Sequence, residues 1–242
     1  MLATAYTAVV EATVPVDGHA GTGHMPRRPR PVDLLGQRLL DGPVRTFEAK
    51  EHLFREGDAV SHVYQVEVGH VCIYKMMSDG RRQVVDFAYP GDTIALGAIG
   101  EHDADAVATN RTRVRCLPVS TLRQIMRNDA RLAIKLYEAL SRELQAARDM
   151  LFMVTQRTAT ERVAAFLIAL SRRNERNGED ADEFVLPMTR NDIADFLGLT
   201  IETVSRTFTK LRCDGLIALT QSILVTIVDH EALASLADGK IH

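Results

Sequence analysis

The stretch TRNDIADFLGLTIETVSRTFTKL, which runs from Thr189 to Leu211, decides the architecture of the C-terminal third of the chain. A helix-turn-helix needs a small residue where its helices cross and a residue that tolerates left-handed backbone in its turn, and Ala194 and Gly198 meet these needs. Val204 is placed to pack the second helix back on the first. The stretch therefore predicts a helix-turn-helix whose second helix begins after Thr200, a good N-cap residue.

The second helix of such a motif lies in the major groove of DNA, with its N-terminal residues at base edges. Glu202, Ser205 and Arg206 share one face of this helix. A carboxylate can accept from cytosine N4, and a guanidinium can bind guanine O6 and N7. Glu202 and Arg206 are also spaced for a plain surface ion pair worth about 0.2 to 0.5 kcal/mol, and the two roles are compatible. We expect Lys210 to contact phosphate. The predicted DNA-binding residues are Thr189, Arg190, Thr200, Ile201, Glu202, Thr203, Ser205, Arg206 and Lys210.

The segments around this motif extend it into a small domain. Upstream, the apolar spacing of residues 160–173 predicts a helix that ends in a polar loop. Downstream of Gly215, residues 216–219 and 223–228 alternate like a small hairpin. The hairpin would form the wing of a winged helix-turn-helix.

The region from about Val44 to Pro118 carries short runs of β-branched and aromatic residues separated by turn signals. In one hairpin, Asp79-Gly80 joins two alternating runs, because Asp-Gly readily supplies the positive φ angles of a tight turn. This pattern predicts an antiparallel β domain.

Between about Asn128 and Arg157 the turn residues vanish, and apolar residues recur at spacings of four and three. This heptad pattern predicts a helix with one apolar stripe that faces a partner helix in a dimer. The alternative is a long helix that packs on its own β domain. The predicted dimerisation residues are Tyr137, Leu140, Leu144, Ala147, Leu151 and Val154.

Composition narrows the functional classes. The chain has 242 residues, a formal net charge of -3 and three widely spaced cysteines without a Cys-x-x-Cys pair. The charge argues against indiscriminate coating of nucleic acid, and the cysteine spacing argues against a disulfide framework or a zinc module. No apolar stretch can span a membrane and no secretory signal precedes the fold, so we expect a cytoplasmic protein. We expect no enzyme activity, because no nucleophile and base cluster, phosphate-binding glycine loop or metal-ligand spacing is present.

The order of these segments, together with Glu202-x-x-Ser205-Arg206, resembles the CRP/FNR superfamily of bacterial transcription regulators, and its FixK-like branch in particular. The resemblance covers about residues 35–235 and implies an α+β fold: a β-roll related to cyclic-nucleotide-binding domains (33–127), a dimerisation helix (128–157) and a winged helix-turn-helix (158–242). Residues 1–32 have no apolar period that could build a core, so we interpret them as a mobile tail. The resemblance also implies a homodimer that binds a TTGA/TCAA palindrome in double-stranded DNA and contacts RNA polymerase, usually as an activator. The genes controlled would concern low oxygen, nitrogen fixation or denitrification.

At the positions where other branches of this family bind a sensory ligand, this sequence has different residues. Where cyclic-nucleotide-responsive members place a ribose-binding Glu and a phosphate-binding Arg pair, the alignment gives Leu96, Ala106 and Val107. The N-terminal tail has no cysteine for an iron–sulfur cluster, and Cys116 is displaced by one residue from the late ligand position, so we interpret it as core. We predict no cofactor and no metal, and a regulator that acts without a small effector. The alternative is a regulator gated by haem, nitric oxide or another small molecule, with His70 and Cys72 as the haem hypothesis.

Cys213 follows the recognition helix and is flanked by Arg212. Positive charge near a thiol favours its oxidation. Cys213 is therefore a possible redox residue whose oxidation would weaken DNA binding, although a passive helix-end cysteine is the simpler interpretation.

Overall fold

The computed structural model describes residues 42–134, 136–138, 140, 141, 144 and 157–239. Its N-terminal half contains eight strands that form two four-stranded sheets, in the orders β1-β8-β3-β6 and β2-β7-β4-β5. The strands are β1 (Val44–Phe47), β2 (His52–Phe54), β3 (His62–Val68), β4 (Val71–Met76), β5 (Arg82–Ala88), β6 (Thr93–Ile94), β7 (Asp105–Ala108) and β8 (Thr112–Pro118). Both sheets contribute to one apolar core that includes Phe47, Tyr64, Val71 and Cys116. This is the predicted β-roll, with Cys116 in its core as interpreted from the sequence.

The hairpin predicted around Asp79-Gly80 is present. Strands β4 and β5 pair antiparallel from Val71 opposite Ala88 to Met76 opposite Arg82. Gly80 has a φ of 82°, which a residue with a Cβ rarely adopts. The side chains of the two strands alternate, so that one face lines the β-roll core and the other faces the C-terminal domain.

Two helical segments follow the β-roll. Helix α1 (Val119–Asn128) is followed by helical residues at the described positions from 130 to 144. Leu132 and Leu136 are buried against Val63 and Leu117 of the β-roll. This part of the segment packs on its own β domain, which was the alternative to the dimer interpretation.

Three of the predicted dimerisation residues are among the described residues of that helical segment. Tyr137, Leu140 and Leu144 have exposed fractions of 72%, 38% and 53%. Ala147, Leu151 and Val154 lie outside the described residues, as does the predicted tail (1–32). Leu140 also lies close to Gly97 of the β-roll, so these exposed apolar side chains border the face that packs on the β-roll.

The C-terminal domain comprises α2 (Ala159–Arg176), β9 (Glu183–Val185), α3 (Arg190–Leu197), α4 (Ile201–Cys213), β10 (Ile217–Thr220), β11 (Leu224–Ile227) and α5 (His230–Ala237). Helix α2 begins with a capping box, in which the Thr158 hydroxyl accepts from the amide of Glu161 and the Glu161 carboxylate accepts from the amide of Thr158. Strands β10 and β11 form the predicted wing hairpin, and β9 adds a third strand beside β11. The α+β class predicted from the sequence is confirmed.

None of the described helices is both long and apolar enough to cross a membrane.

Candidate nucleic-acid interface

Helix α3, the first helix of the motif, starts at a well-defined N-cap. The Thr189 hydroxyl accepts from the amide of Asp192, and the Asp192 carboxylate accepts from the amide and hydroxyl of Thr189. Burial opposes the ionisation of Asp192, yet hydrogen bonds from Thr189 and from Arg82 of the β-roll hold the pKa of this carboxyl below its usual value. Asp192 therefore stabilises the helix start as an anion, where the helix dipole also favours negative charge.

The turn between the two helices depends on Gly198. It ends α3 with φ 65° and ψ 40°, the left-handed conformation predicted from the sequence, and the amide of Leu199 donates to the carbonyl of Ala194. Ala194 is buried, as a helix crossing requires, and Val204 is fully buried beside it in the same core. The three residues that predicted the motif therefore occupy their expected places.

We expect Gly198→Ala to lower the free energy of unfolding by about 1 to 2 kcal/mol, because an L-residue is strained in left-handed backbone. A Cβ at this position would meet no atom closer than Arg162 Nη1 at 3.9 Å, so the loss reports strain and not a clash. Urea unfolding measures it, and Gly198→Asn is the control, since Asn tolerates this conformation better. An unchanged stability of the Ala variant would contradict this account of the turn.

Helix α4 is the predicted recognition helix. Its N-cap is Thr200, whose hydroxyl accepts from the amide of Thr203 at 3.2 Å. Hydrogen bonds from its own backbone and from Thr200 lower the pKa of Glu202, and Arg206 lowers it slightly further. Glu202 is thus an exposed anion at the positive end of the helix, and its carboxylate can accept hydrogen bonds.

One face of α4 is buried and the opposite face is free. Val204, Phe208 and Leu211 pack into the domain core. The exposed face gathers five of the predicted DNA-binding residues, which are Ile201, Glu202, Ser205, Arg206 and Lys210. The structure thus brings together, on one accessible helix face, the side chains that the sequence selected for base reading.

The ion-pair alternative for Glu202 and Arg206 has little structural support. Among the described residues, no salt bridge joins these two side chains. The Thr200 hydroxyl and the local backbone neighbour the Glu202 carboxylate instead. Both charged groups therefore remain accessible to a ligand.

Three predicted residues lie at the edge of this face. Thr189 and Thr200 are the N-caps of α3 and α4, so their hydroxyls already have structural roles. The guanidinium of Arg190 lies 3.4 Å from the ring centroid of Phe208, and its Nη2 donates to the carbonyl of Ser222 in the wing turn. Burial lowers the pKa of Arg190 to about 10. Arg190 therefore links the recognition helix to the wing, a role that the sequence did not reveal.

The β-roll contains a cavity of about 410 Å³. The carboxylates of Asp86, Asp92, Glu101 and Asp103 line it, and its one lysine, Lys75, is paired with Asp103 at 3.3 Å. Burial and then the charge of Asp92 raise the pKa of Asp86 to about 7. Among the described residues that line the cavity, Lys75 is the only lysine or arginine and it already pairs with Asp103, so the lining does not fit an anionic cyclic phosphate.

His70 and Cys72, the two residues of the haem hypothesis, have different surroundings. Cys72 lies in the apolar cluster shared with the C-terminal domain, and burial raises the pKa of its thiol to about 12. His70 contacts Asn110 and the ring of Tyr89. Among the described residues, no group of three or more His, Cys, Asp or Glu side chains is placed to hold a metal ion.

The sequence reasoning missed the contacts between the β-roll and the first helix of the motif. Arg82 binds Asp192 and Asp195 of α3, and Arg173 of α2 binds Asp92 of the β-roll. Each pair joins residues more than 80 positions apart, and no local pattern signals such a pair. Only the Thr189-x-x-Asp192 capping pattern could have drawn attention to one of these residues.

Comparison with known proteins agrees with this architecture. Residues 44–129 match the family described as the cyclic nucleotide-binding domain, and residues 161–236 match the Crp-like helix-turn-helix domain. The chain is 39% identical over 190 residues to the nitrogen fixation regulation protein FixK of Bradyrhizobium diazoefficiens, covering 78% of each chain. It is 38% identical to the protein of the same name from Rhizobium meliloti, covering 86% of this chain and 94% of that one.

A solved structure is similar to this chain as well. The structure of FixK2 from Bradyrhizobium japonicum has 35% sequence identity and a TM-score of 0.76, covering 81% of this chain and 96% of that chain. The family matches and both relatives therefore confirm the resemblance seen in the sequence. The chain belongs to the CRP/FNR family of DNA-binding transcription regulators, with FixK proteins among its relatives, and it is not an enzyme.

Proposed function

We propose that this chain is a homodimeric transcription activator that binds a TTGA/TCAA palindrome and contacts RNA polymerase without needing a small effector. The observation that carries the proposal is the exposed face of α4, where Glu202, Ser205 and Arg206 are available to base edges. The names of the FixK relatives support a role in nitrogen fixation or related low-oxygen gene control.

The homodimer is supported by the exposed apolar side chains of the helical segment after α1. Tyr137, Leu140 and Leu144 are spaced by three and four, which keeps them on one face of a helix. A second copy of the same segment is the natural cover for such a stripe, and dimer symmetry would match a palindromic operator.

Independence from an effector is supported by the chemistry of the β-roll cavity. Among the described residues, the one lysine or arginine that lines the cavity, Lys75, is already paired with Asp103, which does not suit a cyclic phosphate. Ala106, which stands at a sequence position expected for the phosphate-binding pair, is fully buried in the β-roll core. The cavity volume nevertheless favours a second candidate, in which another small molecule gates the regulator.

A gel-shift titration separates the two candidates. The probe is a duplex with a TTGA/TCAA palindrome, and the control duplex has both half-sites scrambled. We expect protein purified without added ligand, in reductant, to bind the palindrome about a thousandfold or more tightly than the control, as specific regulators do. The gated candidate would be supported instead by two results together: equal binding to both duplexes without ligand, and specific binding to the palindrome once a low-molecular-weight cell extract is added.

Cys213 is proposed as the point where oxidation weakens DNA binding. It is exposed, whereas Cys72 and Cys116 are buried. It lies seven residues after Arg206, which is two helical turns along the same stripe of α4. Peroxide converts an exposed thiol to a sulfenic acid with release of water, and the ionised sulfenate there would place negative charge next to a phosphate backbone.

We therefore expect peroxide to reduce operator binding by the wild type and to leave Cys213→Ser active. Gel shifts before and after peroxide, with dithiothreitol reversal, measure the effect. Cys116→Ser is the matched control, because that buried thiol should not change peroxide sensitivity. Equal inhibition of Cys213→Ser and wild type would refute the redox role.

A further inference from the structure

The β-roll and the DNA-binding domain are in direct contact through the outer face of β4 and β5. Val71 and Ala88 face the β-roll core, whereas Cys72, Val84 and Phe87 join the apolar cluster of the DNA-binding domain. The rings of Phe87 and Phe196 are 5.4 Å apart, so the first helix of the motif packs directly on strand β5.

Charged groups surround this apolar contact and fix its register. Arg82, at the start of β5, donates from Nε to Asp195 at 2.9 Å and from Nη2 to Asp192, both on α3. Burial opposes the charge of Arg82, yet the hydrogen bonds to these carboxylates raise the pKa of its guanidinium. A planar guanidinium with two fixed acceptors constrains orientation as well as distance. In addition, Gln83 donates to the backbone carbonyl of Asp195.

A second contact joins the domains through α2. Arg173, only 6% exposed, donates to Asp92 Oδ1 at 2.9 Å. Its guanidinium also lies 4.2 Å from the ring centroid of Tyr89. The two contacts involve different helices of the DNA-binding domain, so together they oppose rotation of this domain about either one.

The recognition helix is coupled to these contacts through the core of the motif. Asp192 belongs to the capping box of α3, and α3 packs on α4 at Ala194 and Val204. On the other side, the β-roll holds the helical segment after α1 through Leu132 and Leu136. The recognition helix and the proposed dimerisation stripe are therefore both fixed to the same β-roll.

We infer that Arg82 and Asp195 are positioning residues for DNA recognition, which hold the recognition helix at a fixed place on the β-roll and so set the half-site spacing that the dimer reads. This inference rests on the proposed function for its DNA readout. Neither residue touches DNA in this account. Without the ion pair, the DNA-binding domain stays folded but moves more freely on the β-roll, and the dimer accepts a wider range of spacings.

The first readout is the spacing preference of the full chain. Gel shifts compare palindromes with the best spacing and with one or two base pairs more or fewer. We expect Arg82→Ala to reduce the ratio of affinities between best and altered spacing by about tenfold, and Asp195→Ala to reduce it less, because Arg82 keeps Asp192 as a partner. The double variant should be no worse than Arg82→Ala. Arg81→Ala is the matched control, because Arg81 lies in the same hairpin and, within the described part of the chain, its side chain pairs only with Asp79 of its own turn. Circular dichroism verifies that each variant is folded.

The second readout needs no DNA. Spin labels on the exposed Cys213 and on a Glu56→Cys substitution in the β-roll report the distance between the domains, with labelled chains diluted into unlabelled protein. We expect a narrow distance distribution in wild type and Arg81→Ala, and a broad one in Arg82→Ala.

These experiments can contradict the inference about Arg82 and the proposed function separately. A spacing preference and a distance distribution in Arg82→Ala equal to those of Arg81→Ala would overturn the inference. So would a loss of affinity that is uniform across all spacings with an unchanged distance distribution. Failure of the wild type to prefer any palindrome would refute the proposed function, and the distance distributions would still decide the role of Arg82.

Discussion

Replacing both Leu140 and Leu144 by glutamate is expected to abolish the dimer and specific DNA binding together. Both side chains lie on the exposed apolar stripe of the helical segment after α1. In the proposed dimer they are buried against the partner helix, where an unpaired carboxylate costs several kcal/mol. A monomer contacts only one half-site, so we expect operator affinity to fall by about a thousandfold or more, towards non-specific binding.

Sedimentation velocity and gel shifts measure the two losses on the same preparation. Arg131→Glu is the matched control, because it also adds a carboxylate to an exposed position of this segment but points away from the stripe. It should remain a dimer with near-normal affinity. A stable dimer in the Leu140→Glu, Leu144→Glu variant would refute this stripe as the dimer interface.

Arg206→Ala is expected to cost about 1 to 3 kcal/mol of binding free energy at operators that carry the guanine of the half-site. The guanidinium is exposed on the recognition face and free of a salt bridge to Glu202 among the described residues, so it can bind O6 and N7 of that base. Operators with another base at this position should bind the variant and the wild type about equally.

Lys210→Ala is the comparison for this prediction. Lys210 is exposed one turn after Arg206, where we expect it to contact phosphate. Its loss should weaken all sequences alike and reduce the salt dependence of binding by about one unit of slope. Competition gel shifts over single-base operator variants measure both effects. An unchanged base preference in Arg206→Ala would remove this residue from base reading.

The recognition motif could be predicted from the sequence because its determinants are local. Ala194, Gly198 and Val204 each act within one turn or one helix crossing, and all three lie where their spacing requires. The β4–β5 hairpin was predictable for the same reason, because Asp79-Gly80 determines a tight turn by itself.

The parts that sequence reasoning missed depend on long-range packing. Helix α5 buries Leu233 and Ala237 in the core built by α2, and β9 is a strand because it pairs with β11. The alternation of β4 identified two faces, but not that Cys72 would meet the DNA-binding domain. Arg82 and Asp195 are ordinary surface charges until the fold brings them together.

The dimerisation stripe and the β-roll cavity show the same difference between local sequence patterns and long-range packing. The heptad pattern selected Leu140 and Leu144, whose side chains are exposed in the single chain, and the partner that we propose for them is a second copy of the chain. Most residues that line the cavity lie between Asp92 and Ala104, but Asp86 of β5 and Lys75 of β4 join them only in the fold.

Selection of bound duplexes from random DNA tests the central claim most directly, using the full chain purified in reductant with no small molecule added. The account predicts enrichment of a palindrome with TTGA and TCAA half-sites at one preferred spacing. Enrichment of an unrelated sequence, or of a palindrome only after a small-molecule extract is added, would contradict it.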